Sequence, residues 1–121
     1  MEDALLQCLV GNLDSDLKVR QTAESQLSFA SAQPGFGLAL TRITLEASVP
    51  FGVRQLAAVV LKQYVKRHWE RDAKHFEEPV VSEADKSAIR AALPAGLHDE
   101  IPKIRTAVGM AIASIAKWDW P

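Results

Sequence analysis

Apolar residues recur every three to four positions along nearly the whole chain, which is the period of an α-helix, and strand-like alternation is scarce. The punctuation between apolar stretches divides the chain into six predicted helices. Leu5, Leu6, Cys8, Leu9 and Leu13 mark a short first helix ending near Gly11-Asn12. Asp14, Ser15 or Asp16 can cap a second helix running to about Ser31, because their side-chain oxygens accept the free backbone N–H groups of a first turn. Gln33-Pro34-Gly35 breaks it. A third helix is expected from near Phe36 to near Ala47, with a turn at Ser48-Val49-Pro50. The fourth runs from Pro50 or Phe51 to about Trp69, and a charged loop follows from Glu70 to Val81. Ser82, with Asp85 three residues on, reads as a variant capping box opening a fifth helix that stops or kinks at Pro94 and Gly96. Asp99 or Glu100 is expected to cap the sixth, with Pro102 in the first turn, where a missing N–H costs nothing.

The even-numbered helices repeat one another. Val19-Arg20-Gln21-Thr22-Ala23, Val53-Arg54-Gln55-Leu56-Ala57 and Ile104-Arg105-Thr106-Ala107-Val108 begin 34 and then 51 residues apart. The mean, about 42, suits repeats of paired helices of the HEAT or armadillo type. The pattern predicts an all-α solenoid of three antiparallel helix pairs, with repeats over about 1–32, 33–70 and 80–118. A helical wheel assigns Val19, Ala23 and Ala30, then Val53, Ala57, Val60 and Tyr64, then Ile104, Val108, Ala111 and Ile115 to the repeat cores. The opposite face carries Gln21, Glu24 and Ser28 in the second helix. It carries Gln55, Ala58, Lys62, Lys66 and Trp69 in the fourth, and Thr106, Gly109, Met110, Ala113 and Lys117 in the sixth. Stacking would align these into one surface, on which Trp69 is either an accessible anchor or is buried under the 70–81 loop. The last helix also carries Ile112, Ile115 and Trp118, followed by Trp120, and an exposed apolar patch is expected there.

Composition narrows the function classes. The 121 residues are 48% hydrophobic and 24% charged with a net charge of −1, so nothing in the total suggests a nucleic-acid or anionic-membrane binder. Apolar runs such as Leu56 to Leu61 are far too short to cross a bilayer. The acidic start, Met1-Glu2-Asp3, is unlike a secretory leader, and the lone Cys8 excludes an internal disulfide; both point to a reducing compartment. Cys8 lies on an apolar helix face and reads as a core residue. His68, His75 and His98 have no metal-ligand spacing, the glycines form no phosphate loop, and Glu77-Glu78 are neighbours on one loop instead of converging carboxylates. No enzyme, cofactor or metal is indicated. Arg20, Arg54 and Arg105 are assigned to structure: Asp14 and Asp99 precede two of the aliphatic-Arg pairs by five residues, an arrangement suited to bidentate pairing between repeats, and Ser48 takes that place in the middle repeat.

The stretch from Val53 to Trp69 resembles the amino-terminal domain of the importin-beta superfamily. It supplies an aliphatic-Arg start at Val53-Arg54, small residues at Ala57-Ala58, Lys62-Gln63 and a closing aromatic at Trp69. The run Ile115-Ala116-Lys117-Trp118-Asp119-Trp120-Pro121 is similar to that family's junction into a fourth repeat. The resemblance implies the amino-terminal segment of a longer nuclear import receptor that shuttles between nucleus and cytoplasm and binds the GTP form of the GTPase Ran. It implies further that basic cargo, such as histones or ribosomal proteins, and nucleoporins bind through later repeats, with no direct contact to nucleic acid. On this reading Gln21, Gln55, Ala58, Lys62 and Lys66, with a lesser part for Thr106 and Lys117, meet Ran. A nuclear export receptor and a general HEAT scaffold are the alternatives.

Overall fold

In a computed structural model, which describes residues 1–119, six α-helices and one 3₁₀ segment follow the predicted order. They are α1 (Glu2–Asn12), α2 (Leu17–Ala30), α3 (Phe36–Leu45), α4 (Phe51–His68), α5 (Glu83–Ala92), the 3₁₀ segment Leu93–His98, and α6 (Pro102–Asp119). Of the three candidate caps, Asp16 opens α2: its Oδ1 accepts from the Lys18 and Val19 amides at 2.8 and 3.2 Å. Ser82 Oγ accepts from the Asp85 amide at 3.1 Å and opens α5. The Asp85 carboxylate does not return the favour to Ser82. It accepts instead from the Gly35 amide at 2.9 Å, fixing the α2–α3 turn where Gly35 adopts φ 83°, a left-handed conformation that glycine takes without strain. α3 ends at Leu45, earlier than expected, because Glu46 turns extended and its carboxylate takes both the amide and the hydroxyl of Ser48.

The third pair departs most from the sequence reading. The chain does not stop after α5 but tightens into the 3₁₀ segment, and this brings Gly96 onto α6. A Cβ on Gly96 would lie 2.6 Å from Val108 Cγ2 and 2.9 Å from Leu45 Cδ2, so only glycine allows that approach. α6 starts from Ile101, whose carbonyl accepts from the Ile104 and Arg105 amides, one to two residues later than the expected caps. Asp99 braces the turn just outside, with Oδ1 accepting from the Ile101 amide at 2.9 Å.

The helices form two layers. α1, α3 and α5 succeed one another in one layer, while α4 and α6 pack side by side in the other. α1 pairs with α2, α3 with α4, and the 3₁₀ segment with α6. One core runs between the layers from Leu5 and Leu9 through Phe36, Leu40 and Leu61 to Ile89, Ile104 and Val108. Of the positions assigned to the core, Ala23, Val53, Ala57, Tyr64, Ile104, Val108, Ala111 and Ile115 are buried, and Ala30 and Val60 are half-buried. Val19 is a correction. It remains 43% exposed, because α2 leans on α1 alone along its first turns and Ala23 is its one buried residue. The expected apolar patch on α6 also differs: Ile115 is buried and Ile112 and Trp118 pack against the core, leaving Met110 and Leu97 as the exposed apolar side chains of that region. Trp120 lies outside the described residues.

The three repeated arginines are structural, but not equivalent. Arg20 Nη1 donates to the Asp14 and Ser15 carbonyls at 3.0 and 3.1 Å, and Arg105 Nη1 to those of Asp99 and Glu100 at 2.6 and 3.4 Å. Arg54 alone reaches across to the next pair. Its Nε donates to the Thr44 carbonyl at 2.9 Å and its Nη2 forms a short ion pair with Asp99 Oδ2. The carboxylate therefore serves the arginine of the preceding repeat. Ser48, standing where Asp99 would stand one repeat earlier, has no carboxylate to offer Arg20, and its hydroxyl bonds to Glu46.

Candidate docking site

The close contact of α4 with α6 leaves a cleft of about 470 Å³ along their outer edge. It rests on small side chains. Ala58 is only 1% exposed, and with Ala107 it lets the two helices approach. Gln55, Lys62 and Lys66 line the α4 side, and Lys103, Thr106 and Met110 the α6 side. The helical spacing that buries Val53, Ala57, Leu61 and Tyr64 turns Gln55, Lys62 and Lys66 outward, so the cleft follows from the period of α4. Five of the seven singled-out residues thus meet here: Gln55, Ala58, Lys62, Lys66 and Thr106. Lys117 sits in an adjoining pocket that it shares with Lys66. Gln21 is exposed on α2 and does not line the cleft. Val59, Gln63, Pro102, Lys103 and Ala107, which the wheel did not select, complete it; Val59, Gln63 and Ala107 each adjoin a selected residue, and Pro102 and Lys103 lie one turn before Thr106.

Electrostatically the cleft is one-signed. No carboxylate lines it, and Lys62, Lys66 and Lys103 enter no ion pair among the described residues. α4 ends on Lys66, Arg67 and His68, where cations offset the negative end of the helix dipole.

Trp69 is not an anchor. It has no exposed surface and donates from Nε1 to Asp119 Oδ1 at 3.0 Å. The Lys86 ammonium and the Arg90 guanidinium both lie 5.4 Å from its ring centroid, and Arg90 Nε bonds Asp119 Oδ2 at 2.7 Å. Burial works to raise the Asp119 carboxyl, but the hydrogen bonds from Arg90 and Trp69 and the nearby cations together hold it below its ordinary range. The 70–81 loop is pinned beside Trp69. The Glu77 and Val81 amides donate to the Arg67 and His68 carbonyls at 2.7 and 2.9 Å, and His68 Nδ1 lies 2.8 and 3.0 Å from the Glu77 and Pro79 carbonyl oxygens. Sequence reasoning missed this role of His68, which has no local signature because its partners come from the loop. Tyr64 lies between Phe36 and His68 with the rings tilted, centroids 5.1 and 4.8 Å away, and burial above all, with the Asp85 charge, pushes its hydroxyl up to about 12.

Among the described residues no cluster of three or more His, Cys, Asp or Glu is placed to hold a metal ion. Cys8 is buried, with Sγ 3.7 Å from Gln26 Oε1. What the geometry offers is a surface: a cationic cleft with apolar walls on a stack of paired helices.

The paired helices stacked in two layers define a helical-repeat module. The family model for the importin-beta N-terminal domain matches residues 23–99, and the chain belongs to that family. Its relatives are nuclear transport receptors. It is 33% identical over its whole length to importin-9 of Drosophila melanogaster, and 34% identical over 97% of its length to importin-11 of Mus musculus. Exportin-2 of Drosophila melanogaster is 24% identical over 98% of it. The chain spans 12% of the length of each of these two importins. Among solved structures, the exportin Cse1 in its cargo-free, cytoplasmic state superposes with a TM-score of 0.85 over 99% of this chain and 12% of Cse1, at 22% identity. Kap95p bound to RanGDP, whose switch loops it drives to the GTP-bound conformation, superposes with a TM-score of 0.81 over 96% of this chain and 14% of Kap95p, at 24% identity. Kap95 in complex with Nup1 gives 0.82 over 100% of this chain and 15% of Kap95, also at 24% identity.

Proposed function

We propose that this chain is the Ran-binding end of a nuclear import receptor and that the α4–α6 cleft meets Ran in its GTP form. The observation that carries the reading is the cleft itself, where Gln55, Ala58, Lys62, Lys66 and Thr106 converge and three lysines are left without carboxylate partners. Kinship with Kap95p, a Ran-binding protein of the same fold, supports it. Lys117 extends the contact from the neighbouring pocket, and Gln21 is an outlying member on α2. Ran-GTP is favoured because the γ-phosphate orders the GTPase switch loops into a surface that the GDP form lacks. The lysines steer encounter with an acidic patch and set register, while the apolar walls supply the contact area. In the whole receptor, Ran and cargo are coupled through one solenoid, so each changes the other's affinity by the same factor. Such a receptor shuttles between nucleus and cytoplasm, takes basic cargo such as histones or ribosomal proteins, and touches nucleoporins.

Lys62→Glu with Lys66→Glu should weaken Ran-GTP binding at least about tenfold, or roughly 1.4 kcal/mol, with helical content unchanged. Lys18→Glu, exposed at the start of α2, should leave affinity alone. Unaltered affinity in the double variant would remove the cleft from the contact. Failure of the unmodified chain to bind either form would remove Ran and leave a general scaffold, while equal binding of both would remove the preference for the GTP form. The kinship with exportin-2 and Cse1 keeps export as a second reading. In the full receptor, an importer releases cargo when Ran-GTP binds, whereas an exporter holds both together.

A further inference from the structure

The pocket beside the cleft is built differently from it. It measures about 320 Å³ and joins three elements: Lys66 from α4, Lys74 and His75 from the 70–81 loop, and Ser114, Lys117 and Trp118 from α6. Lys66 also lines the cleft, so the two basins share a wall. Taken together they carry five lysines and one histidine and no carboxylate in their linings. None of the five lysines enters an ion pair among the described residues, although the loop around Lys74 is rich in acids. Two of those acids are engaged elsewhere: Glu78 pairs with Arg71 at 2.6 Å, and the Glu70 carboxylate accepts from the Asp72 amide at 3.3 Å; Asp72 and Glu77 are exposed and line neither basin. The backbone bonds from Glu77 and Val81 to the end of α4 anchor the loop that carries Lys74 and His75. A chain of net charge −1 that gathers five unpaired cations along one edge has a strongly asymmetric field, the arrangement that draws an oppositely charged partner.

We propose that this second basin holds an acidic, extended peptide segment of a partner protein, running from the Lys74–Lys117 pocket past Lys66 into the cleft. The shape favours a chain of carboxylates over one compact anion, because the cations are strung along two helices and a loop instead of converging on a point. It disfavours nucleic acid, since stacking needs an open aromatic face: Trp118 is half-buried, and the Lys117 ammonium already lies 5.0 Å from its ring centroid. The inference goes beyond the Ran reading by adding Lys74 and His75, which play no part in that contact; it shares Lys66 and Lys117 with it, so peptide and Ran compete for the cleft.

The test is fluorescence polarisation with labelled octaglutamate, octaglutamine and an eight-nucleotide thymidine strand, on the whole chain. Octaglutamate should bind, more weakly as salt is raised, and octaglutamine should not. Lys74→Glu with Lys117→Glu should weaken octaglutamate at least about tenfold, since reversed charges repel where they had attracted. Both side chains are exposed and neither enters an ion pair among the described residues, so circular dichroism should be unchanged. Lys74→Glu alone should weaken octaglutamate while leaving Ran-GTP affinity as it was, which separates this basin from the Ran contact. Absent octaglutamate binding, indifference to the double reversal, or tighter binding of the thymidine strand would each overturn the proposal.

Discussion

Arg54 is 2% exposed and its charge has one carboxylate partner, Asp99, one repeat further on. A buried guanidinium left without its counter-ion is among the costlier things a mutation can create. Asp99→Ala should destabilise by about 3 kcal/mol, read by urea unfolding, because it strands Arg54 and also removes the brace on Ile101. The hydrogen bond from Arg54 first, then that from the Ile101 amide, holds the Asp99 carboxyl below its ordinary range. A folded-state pKa below the unfolded one gives stability that is full above the unfolded carboxylate value, about 3.9, and is lost as pH falls through the folded one. The advantage of the unmodified chain over Asp99→Asn should therefore be constant near neutrality and shrink in that acidic window. The pairing was legible in part. Spacing singled out Asp99 and the exception at Ser48, but only the fold shows that the acid serves the arginine before it. Trp69 was less legible, since its partner Asp119 lies 50 positions away.

Helices differ in how much the sequence can say about them. α4 repeats its apolar and polar residues over five turns, and both its core and its cleft were readable from that period. Ala57 has no exposed surface, so Ala57→Leu should overpack the stack and cost roughly 1–3 kcal/mol, lowering the thermal midpoint. Val19 holds in α2 the place that buried Val53 holds in α4, yet is exposed, and Val19→Ala should stay within about 0.5 kcal/mol of the unmodified chain. An equal loss for both would restore the even register that the repeat pattern suggests. The difference between the helices is tertiary: α4 is flanked by α3 and α6, whereas α2 has only α1 as a substantial neighbour. A period fixes which side of a helix is apolar; it does not fix whether a neighbour arrives to cover it. The 3₁₀ segment escaped for a related reason. Pro94 and Gly96 read as punctuation, yet Gly96 is there to be packed against Val108 and Leu45.

Across the whole molecule, burial rises from the first pair to the second. α2 should be the first helix to exchange its amide hydrogens with solvent, and α4 among the last, by hydrogen-exchange mass spectrometry. Uniform protection of both would mean that the stack opens as one unit. Total charge concealed the cationic edge, because acids elsewhere cancel it in the sum, and only the fold shows Lys74 swung beside Lys117. The serine at position 48 has a mechanical consequence. Where Arg54 grips Asp99, the second and third pairs are riveted together; Ser48 offers Arg20 no such partner, and between the first and second pairs apolar contact is joined, among the described residues, only by the solvent-exposed Arg42–Glu2 pair at 3.6 Å, and exposed pairs are worth little. Apolar contacts slide and re-form with little penalty, while a directional ion pair resists shear until it snaps. A load drawn along the stack should therefore be taken up first at the seam between the first and second pairs, ahead of the seam that the buried Arg54–Asp99 pair closes.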